Sequence, residues 1–255
     1  MEWGTLVTAT LQLYRQAAVD TWQRIQRNWW VSLLPLLYGV LLLFAIQLVL
    51  PLGMPGGFIL GLISAMCTSS YLYFVAGTVN GQRMFPSDLM ESWRPYLGPV
   101  ITILFFLFIV QMLLRFALPP VAASRDILFI IQLVLMVILN PIPEIIYLGR
   151  SEGLGMLQES VEFLRESGLE WFLPLVLLTL FSIILPVPFL VSPFQVGQLS
   201  LPPLSAAGLL GSLTGLVQGI LSAVFLFVLM VFRGLLFRSL ASGTRRQRIF
   251  RARLS

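Results

Sequence analysis

Few residues in this chain could do chemistry, and the most unusual of them are embedded in apolar sequence. Asn140-Pro141-Ile142-Pro143-Glu144 lies inside the apolar run Ile127 to Leu148. A charge in hydrocarbon is expensive and tends to mark a functional site or a pair. Proline removes a backbone donor and clashes with the preceding turn, so two prolines here free carbonyl groups within the run. Broken helices of this kind coordinate ions in transporters. Asn140, Glu144 and the freed carbonyls are thus candidates for a proton or cation site. The competing reading is structural: Glu144 lies a turn from Leu148, near the end of the run, and Arg83, Arg94 or Arg233 could pair with it. That reading is the stronger one. A second polar pair, Gln111 and Arg115, is four residues apart and so shares one helix face. Arg115 either snorkels to headgroups or faces a polar crevice with Asn140 and Glu144.

Other chemistry is hard to build. The chain has no His, which removes the commonest metal ligand and acid–base group. Its single cysteine, Cys67, sits in an apolar run and reads as a small buried residue. There is no Walker loop, no zinc spacing and no nucleophile elbow, and Ser192, Ser205 and Thr214 have no base in view. The expectation is therefore no enzyme, no cofactor and no metal.

These residues must be positioned by membrane helices. Of 255 residues, 58% are apolar and 11% charged, against about 25% charged in soluble domains. Mean hydropathy is +0.91. All 16 basic residues are arginine, which we read as compositional bias. The fold class expected is all-α: a single polytopic membrane domain of six transmembrane helices arranged as three hairpins, with amphipathic interfacial helices on the cytoplasmic side. A crossing needs about 20 apolar residues, and the runs that supply it are 29–50, 58–79, 100–118, 127–148, 171–191 and 208–237. Segments 5–28 and 150–170 are amphipathic. In the first, Leu6, Leu13, Ala17 and Ile25 share a face; in the second, Leu154, Leu157, Val161 and Leu164 do. Pro35 is expected to kink the first span, and Pro174 to sit in the first turn of the fifth. No cleavable signal segment is visible, so the N-terminus is expected to be retained.

Two strips of small residues recur every four positions: Gly57, Gly61, Ala65 and Ser69, and Gly211, Gly215, Gly219 and Ala223. Such strips let helices approach closely. Arginines concentrate in 5–28, 80–99, 149–170 and the tail 238–255, whereas the opposite loops hold only Arg115 and Arg125. The positive-inside rule then places both termini in the cytoplasm. The tail arginines Arg238, Arg245, Arg246, Arg248, Arg251 and Arg253 are expected to meet anionic lipid headgroups, each worth about 1 kcal/mol near the surface. Nucleic acid is not an expected partner, because the tail begins at the membrane.

Several positions carry a family likeness. Tyr14-Arg15 opens an amphipathic segment that reaches Asn28 and the first span. Pro143 leads to Gly153 or Gly155, and a short helix with Ser160 and Arg165 enters the next span. In these features the chain resembles the bacterial YciC-type membrane proteins, and it is similar to the membrane domain ahead of some glycerophosphodiester phosphodiesterases. The resemblance implies an integral protein of the bacterial inner membrane with no assigned activity; Glu144 lies outside its pattern. The function expected is a non-enzymatic accessory or scaffold subunit packing against other membrane helices. The alternative is a small transporter or lipid-handling protein with a polar crevice near Asn140, Glu144 and Arg115.

Overall fold

A computed structural model describes residues 3–117, 122–149, 151–184 and 213–242. Among them the only regular secondary structure is helix, with no strand. Helix α1 is Trp3–Arg27, α2 Leu34–Val49, α3 Met54–Val79, α4 Leu97–Ala117, α5 Ala122–Leu139, α6 Ile142–Leu148, α7 Gly155–Ile184 and α8 Leu213–Ala241. Five stretches are long and apolar enough to cross a membrane: Trp29–Leu52, Met54–Val79, Leu97–Ala117, Asp126–Leu148 and Leu213–Ala241. The chain is thus built as a multi-pass membrane protein. The far part of the expected fifth span (185–191), residues 208–212 of the sixth, Gly211 and tail residues 243–255 lie outside the described residues.

Local structure departs from expectation where proline is concerned. Pro35, expected to kink the first span, stands in the first turn of α2, just after a 3-10 turn at Trp29–Leu33 within that span. There its missing N–H has no partner to lose. Pro174 is not in a first turn but inside α7, because the amphipathic segment and the following apolar one form one continuous helix of 30 residues. The missing N–H of Pro174 frees the carbonyl of Glu170, four residues back. The Tyr14 hydroxyl donates to that carbonyl at 2.7 Å. A side chain from α1 therefore replaces the donor that proline removed, and α7 runs on.

The buried face of α7 only partly matches the expected one: Leu157 and Leu164 are half-buried against the core. Met156, Ser160, Phe163, Ser167 and Trp171 are buried, while Leu154 and Val161 are exposed. These five follow i, i+4, i+7, i+11, i+15, a single helical stripe. Two of them are serines, so composition disguised the stripe. On α1 the expectation fares better: Ala17 is buried, and Leu13, Tyr14 and Ile25 pack against the core.

Helix α8 is the centre of the bundle. In its most apolar stretch 61% of residues are buried, against 11% for α4. It packs on α1, α2, α3, α6 and α7. Helices α2 and α3 pack as a hairpin, but the principal neighbour of α4 is α3 and that of α5 is α7. The expected second hairpin thus has its two helices facing different partners.

The loop between α3 and α4 is fastened from three sides. Asn28 Nδ2 donates to the Gln82 carbonyl at 2.9 Å, and Asn28 Oδ1 accepts from Met84 N at 2.9 Å. Trp30 Nε1 donates to the Met84 carbonyl at 3.2 Å. Ser69 Oγ donates to the Trp93 carbonyl at 2.6 Å, and Tyr38, Ser70 and Ser92 form a hydroxyl chain. A polar loop packed over apolar helix ends needs such partners, since its buried backbone groups have no water.

Candidate functional site

The polar residues of the opening motif meet at the core of the bundle. The α5 helix ends at Leu139, Asn140 and Pro141 form a turn, and α6 restarts at Ile142 with Pro143 in its first turn. The break swings Glu144 inward, where it is fully buried. Arg233 of α8, also fully buried, meets it with two parallel bonds: Nε to Oε1 at 2.8 Å and Nη2 to Oε2 at 2.9 Å. This is the bidentate geometry that makes Arg–carboxylate pairs strong. The pair cancels its charge inside the bundle, and both carboxylate oxygens are engaged by the guanidinium.

Neighbouring groups complete the arrangement. The Asn140 carbonyl accepts from Arg233 Nη2, and the Asn140 side-chain oxygen accepts from Trp171 Nε1 at 2.8 Å. The Trp171 ring lies 5.0 Å from the Arg233 guanidinium carbon, within cation–π range. Phe163 and Phe237 pack on the Trp171 ring. The Ile138 carbonyl accepts from Ser160 Oγ. The carbonyls of Ile138 and Asn140 thus have donors from α7 and α8. Chemically the cluster is a lock that ties α5, α6, α7 and α8 together. Among the described residues, Asn140 Nδ2 and the hydroxyls of Tyr71 and Tyr147 are buried without a hydrogen-bond partner. No group of His, Cys, Asp and Glu among the described residues has a metal-binding arrangement.

Gln111 and Arg115 are not part of this cluster. Both are exposed on α4, whereas Asn140 and Glu144 are fully buried, so the four do not line one crevice. The small-residue strips are used only in part. Ala65 and Ser69 are buried, but Gly57 and Gly61 are exposed with open space where a Cβ would stand. The glycine that does permit close approach is Gly56, one position off the strip: a Cβ there would lie 2.9 Å from Val49 Cγ1 and collide with the Val49 carbonyl. On α8, Gly215 is half-buried and Gly219 and Ala223 are buried. Arg238 is exposed at the end of α8; Arg245, Arg246, Arg248, Arg251 and Arg253 lie outside the described residues.

Sequence reasoning named Arg233 as a possible partner of Glu144 but missed Trp171 and Gly234 as parts of the site. A Cβ on Gly234 would come within 2.6 Å of the Tyr147 hydroxyl and 2.7 Å of Val79 Cγ2. The position of Gly234 beside the one arginine inside the apolar run was the available signal. No protein family, curated protein or solved structure matches this chain.

Proposed function

We propose that this protein is a non-enzymatic integral membrane subunit, an accessory or scaffold that packs against the helices of other membrane proteins. The arginine distribution supports a cytoplasmic position for both termini. The observation that carries the reading is the outer half of α3. Gly57 and Gly61 stand one turn apart with none of the described residues against them. Large apolar side chains surround that end, with Leu48 78% and Phe58 77% exposed. Close-packed glycines are a common means of association in lipid, where apolar area alone gives little drive. The buried polar groups support the same reading, because the Glu144–Arg233 pair is closed on itself and offers no charge to a passing ion. The likeness to YciC-type proteins is in keeping with a membrane role lacking catalysis.

Native mass spectrometry on the protein extracted gently from its own membrane tests this. Defined added polypeptide mass supports the subunit reading. A lone monomer or a homo-oligomer carrying only lipid removes it in favour of the lipid-handling alternative.

A further inference from the structure

The loop between α3 and α4 carries two exposed arginines, Arg83 and Arg94, each stacked on an aromatic ring. The Arg83 guanidinium carbon lies 5.6 Å from the centre of the Phe85 ring, and that of Arg94 lies 5.4 Å from the Trp93 ring. Both platforms are held by the loop itself. Phe85 N donates to Asp88 Oδ2 at 2.9 Å, and Trp93 Nε1 donates to the Met90 carbonyl at 3.1 Å. A guanidinium stacked through its face keeps its in-plane N–H groups for an acceptor. Among the described residues neither arginine has a salt bridge: Asp88 is taken up by Phe85 N, and Glu91 stands beyond salt-bridge distance of both.

Helix α3 fixes the depth of this loop. Counted from Met54 at the standard rise, Ser69 stands about 22 Å along the helix and Gly77 about 35 Å. A hydrocarbon core is about 30 Å thick, and the exposed apolar Met54 and Phe58 put the start of α3 in it. Ser69 Oγ bonds the Trp93 carbonyl, and Met84 packs on Gly77, where a Cβ would collide with its sulfur. The loop therefore crosses the hydrocarbon boundary, with Arg83 in the headgroup layer and Trp93 just beneath it. Arg94 reaches the same layer by snorkelling. Trp93 and Tyr96 are residue types that settle at such a boundary. Met90, 83% exposed beside Trp93, meets acyl chains rather than water.

We propose that Arg83 and Arg94 each bind the phosphate of a membrane phospholipid, so that this loop is a headgroup-binding surface. Depth and charge select this occupant. Phosphate is the anion that every phospholipid places at that level, and it matches the planar N–H fork of arginine. The ring platforms hold both forks in place, which lowers the ordering cost of binding. The surface is independent of any partner subunit and of the small-residue strip on α3.

The test compares the full-length protein in nanodiscs of phosphatidylglycerol and phosphatidylcholine with the same protein in nanodiscs of a phosphate-free galactolipid. Modification of each arginine by phenylglyoxal is followed by peptide mass spectrometry. We expect Arg83 and Arg94 to react about fivefold more slowly in the phospholipid discs, the protection given by one cation–headgroup contact. Inorganic phosphate added to the galactolipid discs should not restore that protection. Solid-state NMR reads the contact directly: the arginine Cζ signal should be dephased by lipid phosphorus. Arg83→Gln and Arg94→Gln, both exposed changes that should leave the thermal melt unaltered, should each remove part of that dephasing. Equal reactivity in the two kinds of disc, protection restored by inorganic phosphate, or dephasing unchanged in both variants overturns the assignment.

Discussion

Glu144 and Arg233 are held by each other and by the groups around them, so the effect of changing one depends on the other. Removing one member of a buried pair leaves an uncompensated charge, at a cost of about 3–5 kcal/mol, whereas replacing both with apolar residues is near neutral or stabilising. Arg233→Met alone should therefore lower stability in detergent by about 3–5 kcal/mol, and Glu144→Leu with Arg233→Met should recover most of it. A double-mutant cycle followed by denaturation reads this; additive losses would mean the two do not act as a lock. Tyr14 makes a similar argument with a neutral group. Tyr14→Phe should cost about 1 kcal/mol by leaving the Glu170 carbonyl without its donor. In a Pro174→Ala background the helix supplies its own N–H, and Tyr14→Phe should then cost little. An equal loss in both backgrounds would contradict the role assigned to Tyr14. The pair was legible in the sequence because charges inside apolar runs are so few that their partners can be enumerated. The Tyr14 bond was not, since nothing in the sequence places residue 14 beside residue 170.

At the scale of elements, the loop joining α3 to α4 depends on a residue at the far end of α1. Asn28 is buried and makes two bonds to that loop, to Gln82 and Met84. Asn28→Ala should cost about 1–3 kcal/mol, the penalty for stranding buried backbone groups. Hydrogen exchange should speed up over residues 82–92 and little elsewhere; unchanged protection there would show that Trp30 and Ser69 suffice. The spans were legible from length and hydropathy because a membrane helix must satisfy its backbone internally. The faces were not. The buried stripe of α7 contains Ser160 and Ser167, which are not buried by hydrophobicity of their own; Ser160 is held by its bond to the Ile138 carbonyl of α5. The division at Glu170 was also misread: a helix does not end where its surroundings change from interface to hydrocarbon, and no residue between Gly155 and Ile184 stops it.

At the scale of the whole molecule, the bundle formed by the described residues is unevenly closed. Its core gathers around α8, where Arg233 meets Glu144, and its other side leaves α4 and the start of α3 largely uncovered. The small-residue strips were visible in the sequence, but which half of each faces its own chain depends on tertiary packing. The central claim is that the uncovered half of α3 takes a partner helix. It is tested most directly by native mass spectrometry of the gently extracted protein beside its Gly57→Leu, Gly61→Leu variant. Both positions have open space, so the variant should fold and melt like the parent. The account predicts added polypeptide mass on the parent that the variant loses. Identical spectra, with only the chain and lipid in each, would contradict it.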